Sequence, residues 1–236
     1  MVKIFKMGQK IIAGLTAWQL SCILCHSNGQ APICQLCERS LNKINRSTSC
    51  YRCLASRSSN HLLCSDCLTN PIYFTRVIAG YKYATPLTNL VAALKYQGRI
   101  DYSSALSYLL LKGITPELHE LPAAIIPVPL HPQKQKSRGF NQVHELIRGI
   151  CATYPQLRLI QALRIRLTPA QVSLTRSARS HNLAGAFYCP TNLTNLKVAL
   201  IDDVVTTATT CNELAKACLS AGAKEVEVWC LMRAQE

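Results

Sequence analysis

The chain has 236 residues, 49% hydrophobic and 16% charged, the composition of a globular protein with room for one substantial domain and a small satellite. No apolar run approaches the ~20 residues that span a bilayer, so no transmembrane segment is expected, and thirteen cysteines in a chain this long exclude a disulfide-stapled miniature fold. The formal charge of +14 is concentrated: residues 1–75 carry eight Lys and Arg against Glu38 and Asp66, while nine basic residues from Lys134 to Arg179 face only Glu145. Such a stretch inside a fold implies a polyanionic ligand, either a phosphorylated small molecule or nucleic acid, where a solvated face is the plainer alternative.

At the front, "KIFKMGQK" followed by "IIAGLTAWQLSC" imitates a secretory or lipoprotein leader. Gln19 interrupts the apolar run and Cys22 belongs to a cysteine pair, so an amphipathic leading helix and a cytoplasmic protein are expected instead.

Four C-x-x-C pairs come next: Cys22 and Cys25, Cys34 and Cys37, Cys50 and Cys53, Cys64 and Cys67, with 8, 12 and 10 residues between successive pairs. Two thiolates three positions apart can grip one side of a tetrahedral ion, and a second pair a short loop away closes the other side. Eight sulfurs make two structural zinc sites. The shortest loop closure assigns Cys22, Cys25, Cys34 and Cys37 to one ion and the other four to the second, although interleaved pairs would also satisfy the count. A redox pair would want a βαβ frame, which this segment lacks. His26 and His61 could substitute as ligands but read as loop histidines. Cys151, Cys189, Cys211, Cys218 and Cys230 read as small buried hydrophobes.

After Pro71, strands and helices alternate. Residues 76–84 read as a strand, 86–97 as a helix opened by Pro86 and ended by Gly98, and 101–113 as a helix stopping at Gly113. Residues 123–129 form an apolar strand, followed by a basic loop and an amphipathic helix over 141–154. A buried strand over 197–205, a helix from Thr209 and a strand over 225–234 complete the pattern. This order predicts an α/β fold with a parallel sheet covered on both faces. Residues 1–70, the leading helix and cysteine module, and residues 71–236, the sheet domain, are expected to have separate cores.

Asp202 and Asp203 fall at the carboxyl end of a strand, where open parallel sheets bind ligands. Thr206, Thr207, Ala208, Thr209 and Thr210 then lead into a helix whose first N–H groups form a phosphate cradle. Carboxylates for a diol beside a cradle for a phosphate describe a ribose 5-phosphate. The plainer alternative is that the acids cap the turn. As exposed strand-end acids they should contribute little to folding.

The segment "LIDDVVTTATT" resembles the phosphoribosyl-pyrophosphate (PRPP) loop of type I phosphoribosyltransferases. Together with the four cysteine pairs, "IPVPLHPQKQKSRGFNQ" and "RLTPAQVSLTRSARSHNLAGAF", it makes nearly the whole chain similar to the ComF/GntX family of competence-associated proteins. The resemblance implies a phosphoribosyltransferase-like sheet with a small N-terminal four-cysteine zinc-finger module. It also implies PRPP held with Mg²⁺ by Asp202, Asp203 and residues 206–210, and work in DNA uptake alongside the competence machinery. Asp202 and Asp203 would hold the ribose hydroxyls and the charge developing at the anomeric carbon as pyrophosphate leaves. Lys134, Lys136 and Arg138 could meet the pyrophosphate, with Gly139 letting backbone approach closely. Arg164, Arg166, Gln171, Arg176, Arg179 and Asn182 would form a hood or a nucleic-acid contact. Ala208 stands where the family usually has glycine, and if that position needs a positive φ, alanine costs about 1–2 kcal/mol. No base for an acceptor is evident, so two readings stand: a phosphoribosyl transferase, and a non-catalytic single-stranded DNA-binding protein that reuses the fold. The GntX name points to gluconate, but no residue here recognises a sugar acid.

Overall fold

The computed structural model describes residues 20–57, 61–166 and 183–235; the expected leading helix lies outside them. Two short strands, β1 (Leu20–Ser21) and β2 (Asn28–Gly29), pair antiparallel around the first cysteine knuckle. Short helices α1 (Gln35–Ser40) and α2 (Ser65–Thr69) each start directly after a cysteine, and the Cys37 N–H donates to Cys34 Sγ at 3.5 Å. A thiol thus occupies the N-cap place that a hydroxyl or carboxylate usually fills.

The sheet domain then runs β3 (Val77–Lys82), α3 (Leu87–Gln97), α4 (Ser103–Ile114), β4 (Ala124–Pro127), α5 (Pro132–Arg138), α6 (Gln142–Thr153) and β5 (Arg158–Leu159). It continues with β6 (Leu163–Arg164), β7 (Phe187–Tyr188), β8 (Lys197–Val205), α7 (Thr209–Ser220) and β9 (Glu225–Arg233). Five strands form one sheet in the order β3-β9-β8-β4-β5, every pairing parallel, while β6 and β7 make a separate antiparallel pair. The expected parallel α/β sheet with a cysteine module at its front is therefore what the chain forms. From β4 the chain moves outward to β5 on one side, and from β8 it moves outward to β9 on the other. The connections diverge between β4 and β8, which makes the crevice beyond these two strand ends the place where this topology binds ligands.

Strand alternation sorts the core onto two faces. Val77, Ala124, Ile126, Val198, Leu200 and Val228 face α7, and Ile78, Ile125, Ala199, Ile201 and Trp229 face α3, α4 and α6. The cysteine module is not separately cored. Cys50, Cys53, Leu54, Cys64 and Cys67 are buried in the first of these clusters, and Ile33 and Leu41 in the second. The expectation of separate cores fails because a module this small has too little apolar surface to enclose its own interior.

Two local expectations also change. Gly113 does not stop α4, which runs on to Ile114; a Cβ there would lie 2.8 Å from Gly80 Cα, so this glycine serves the close approach of α4 to β3. The basic stretch after β4 is a helix rather than a loop. His131 caps α5 by accepting from the Gln133 N–H at 3.2 Å, Pro132 opens it with its preset φ, and Gly139 closes it at φ 77°.

Candidate phosphate and metal sites

The structure gathers the eight paired cysteines into two groups, Cys22, Cys25, Cys34 and Cys37, and Cys50, Cys53, Cys64 and Cys67, with the sulfurs of each group within 4.8 Å of one another. This is the sequential assignment, not the interleaved one, and neither His26 nor His61 joins a group. Cys25 and Cys34 sulfurs stand 3.7 Å apart, and those of Cys53 and Cys64 3.6 Å. A tetrahedron with metal–sulfur bonds of about 2.3 Å has edges of about 3.8 Å, so both groups fit a four-thiolate ion. The thiols within each group are pushed apart: burial raises Cys37 to about 12 and also raises Cys64, and the hydrogen bond with Cys53 raises Cys67, whereas hydrogen bonding by Ser27 draws Cys25 down to about 6. The Cys67 thiol, then the Ala55 N–H and the Arg233 charge, bring Cys53 down to about 4 against the opposing effect of burial.

The two acids on β8 are not equivalent. Alternation turns them to opposite faces of the strand. Asp203 is 3% exposed and its Oδ2 lies 2.5 Å from the Lys95 ammonium on α3. Burial alone would lower Lys95, but the Asp203 carboxylate outweighs it and raises the ammonium above the ordinary lysine value. Asp202, half-buried on the α7 side, takes the Cys211 thiol at 4.0 Å and is pushed well above the carboxylate range, first by burial and then by the Asp203 charge. The expectation that both are exposed acids of little weight in folding is therefore corrected for Asp203, whose partner in α3 no local pattern reveals.

Neither acid caps α7. Asp202 Oδ1 accepts from the Asp203 N–H at 2.9 Å and Asp203 Oδ1 from the Val204 N–H at 3.0 Å, so both caps are spent within the strand. The N-cap of α7 is Ala208, at φ 60° and ψ 3°, with no side chain bonded to the first helical N–H groups. Thr207 and Thr209 hydroxyls meet at 3.0 Å across it, and Thr206 and Thr210 flank the turn. The loop is shaped as an anion cradle at the positive end of a twelve-residue helix. The left-handed turn also gives a prediction. Ala208→Gly relieves about 1–2 kcal/mol of strain and adds back about 0.5–1 kcal/mol of glycine entropy. Its thermal midpoint should rise by roughly 1–3 °C for a chain of this size, and a fall in calorimetry would show the turn to be unstrained.

Across the crevice, α5 presents Lys134 and Arg138 four positions apart on one face, while Lys136 falls about 200° round the helix. Arg138 donates to Gln142 Oε1 at 3.0 Å and lies 5.0 Å over the Tyr96 ring. Lys134 is held below the usual lysine value, first by desolvation at this crowded rim and then by the charges of Arg138, Lys95 and Arg164. Four cations from α3, α5 and β6 therefore converge, of which Lys95 was invisible to sequence reading. Gly139 has open space where a Cβ would stand, so it is required for the turn that ends α5 rather than for a close approach. Arg166 donates to the Ala184 carbonyl at 2.8 Å. Gln171, Arg176, Arg179 and Asn182 lie outside the described residues.

One further side chain joins the two sites. Arg233, buried at the end of β9, donates from Nε to the Cys53 carbonyl at 2.7 Å and from Nη1 to the carbonyls of Val205, Thr206 and Ala234. A single guanidinium thus pins the phosphate loop to the second cysteine group. A conserved-looking motif would not expose this link, because its partners are 180 positions apart.

The sequence is 34% identical over 223 residues to DNA utilization protein YhgH of Escherichia coli, a match covering 90% of this chain and 96% of that protein. It is 32% identical over 223 residues to competence protein F of Haemophilus influenzae, with the same coverage. Competence protein ComFC of Streptococcus pneumoniae is 27% identical over 237 residues, covering 98% of this chain and 100% of that protein. No family model matches the sequence. Among solved structures, a purine phosphoribosyltransferase from Pyrococcus horikoshii aligns at 16% identity and a TM-score of 0.34 over 55% of this chain and 70% of that one. No helix among the described residues is long and apolar enough to cross a membrane.

Proposed function

The chain belongs to the ComF/GntX family, that of competence protein F and DNA utilization protein YhgH, and from that premise we propose that it is a PRPP-site protein working in DNA uptake or processing. The observation that carries this reading is the crevice between β4 and β8: Asp202 and Asp203 on one strand, the left-handed turn at Ala208 opening α7, and the cations of α5 facing them. Thr206, Thr207, Thr209 and Thr210 hold the 5-phosphate with the first N–H groups of α7. Asp202 accepts from the ribose hydroxyls, and Lys95 pairs with Asp203 beside it. Lys134 and Arg138 bind the pyrophosphate; Mg²⁺, when present with PRPP, supplies neutralisation of that leaving group. Residues 1–70 serve as a zinc-held cap on the sheet domain of 71–236, in a cytoplasmic protein.

Calorimetry with PRPP and Mg²⁺ on zinc-loaded protein tests the small-molecule half of this reading. Binding is expected, and Asp202→Ala should weaken it on the order of tenfold, the worth of about 1–1.5 kcal/mol of hydrogen bonding. Heat signals indistinguishable from buffer would end the reading.

Lys134, Arg138 and Arg164, gathered beside the Asp203-paired Lys95, also favour single-stranded DNA as a ligand. Log affinity for a single strand should fall linearly with log salt, with a slope of about −0.7 per phosphate neutralised. Changing Lys134 and Arg138 to alanine should flatten that slope, and Lys136→Ala should change it least. A salt-independent affinity would leave the transferase standing alone.

A further inference from the structure

A cavity of about 400 Å³ separates the second cysteine group from the phosphate loop, and the function proposed above does not use it. Arg57, Ser65 and Asp66 line it on the module side, and Thr206, Thr207 and Arg233 on the loop side. It is large enough for one nucleoside-sized group. Two nitrogens of Arg57 donate to the carbonyls of His61 and Ser47, but its Nε is buried without a hydrogen-bond partner. A buried donor left unmet at a cavity wall is a place where a ligand acceptor belongs.

The position of this cavity has a chemical meaning that rests on reading residues 206–210 as the 5-phosphate cradle. PRPP ends there, in a phosphomonoester. In a nucleic-acid strand, the 3′-terminal nucleotide is a nucleoside 5′-phosphate whose phosphate carries one more ester, leading to the preceding nucleotide. Because Thr206 and Thr207 belong to both the cradle and the cavity wall, the extra ester leads from the one into the other. We propose that the cavity receives the penultimate nucleotide of a single-stranded nucleic acid whose 3′-terminal nucleotide occupies the ribose 5-phosphate site. Arg57 meets an acceptor on that penultimate nucleotide, and the terminal 3′-hydroxyl faces Asp202. The protein is then a reader of free 3′ ends, and a 3′-phosphate is rejected because it replaces the hydroxyl donor that meets Asp202 with an acceptor-only dianion.

The test measures anisotropy of 5′-fluorescein-labelled dT10 bearing a 3′-hydroxyl or a 3′-phosphate, with PRPP and Mg²⁺ as competitor, beside calorimetry of ribose 5-phosphate. The hydroxyl form should bind at least tenfold tighter than the phosphate form and should be displaced by PRPP. Ser56→Trp, an exposed position on the cavity rim, should weaken dT10 at least fivefold and leave ribose 5-phosphate affinity unchanged. Arg57→Gln should do the same to a smaller extent. Equal binding of the two 3′ forms, or insensitivity of dT10 to Ser56→Trp while ribose 5-phosphate still binds, overturns the proposal and leaves the functional reading intact. Failure of ribose 5-phosphate and PRPP to bind overturns both.

Discussion

Cys64→Ser is expected to unfold the sheet together with the cysteine module, not the module alone. Cys64 sits in the second group, whose members Cys50, Cys53 and Cys67 share one buried cluster with Phe74, Val77, Ile126, Leu200 and Val228 of the sheet. Loss of a four-thiolate ion removes on the order of 10 kcal/mol. The total stability of a domain is about 5–15 kcal/mol, so little or nothing would remain. The loss also frees Arg233, which holds the Cys53 carbonyl and the carbonyls of the phosphate loop at once. Cys25→Ser should be milder, because Cys25 is exposed and its group reaches the core mainly through Ile33 and Leu41. Metal content and scanning calorimetry of both variants decide the matter. Cys64→Ser protein that keeps one cooperative transition and native far-ultraviolet dichroism would show that the sheet stands without the second ion.

This outcome marks where reading the sequence stops. The cysteine pairing was legible because the ligands are local: each half of a site is a single turn, and the shortest loop picks the partner. Strands β4, β8 and β9 and helices α3, α6 and α7 were legible from period and from their end signals, as Gly98 after α3 illustrates at φ 66°. The left-handed turn at residue 208 came from resemblance, since alanine itself carries no such signal. What lay beyond reach was long-range. Nothing around Lys95 says that it meets Asp203, and nothing around Arg233 says that it ties a cysteine carbonyl to a loop. The basic run at 132–138 departs from the expected loop for another reason: its charge masks a helix start, His131 as the cap and Pro132 as the first helical residue.

Lys95→Met carries the second large effect, and its pH dependence separates an electrostatic role from a packing one. The ammonium and the Asp203 carboxylate are 18% and 4% exposed, and removing one partner of a buried pair leaves the other charge uncompensated, at a cost of about 3–5 kcal/mol. For a chain of this size that corresponds to a fall of roughly 6–20 °C in the thermal midpoint at pH 7. Methionine keeps most of the volume, so packing contributes little. In the parent, Lys95 is held above its ordinary value, so its stabilisation is present through the neutral range and is lost only as pH climbs past that raised value. In the variant the acids lose the charge that opposed the upward push on Asp202. A carboxyl raised in the folded state favours folding while protonated, and that advantage disappears as pH rises from the unfolded value of about 3.9 through the folded one. The deficit relative to the parent should therefore shrink towards pH 4 and be widest at pH 7–8, and Asp203→Asn added to Lys95→Met should recover part of it. A deficit of the same size at pH 4 and pH 8 would mean that Lys95 matters for its methylenes alone, and that no cation is needed beside Asp203.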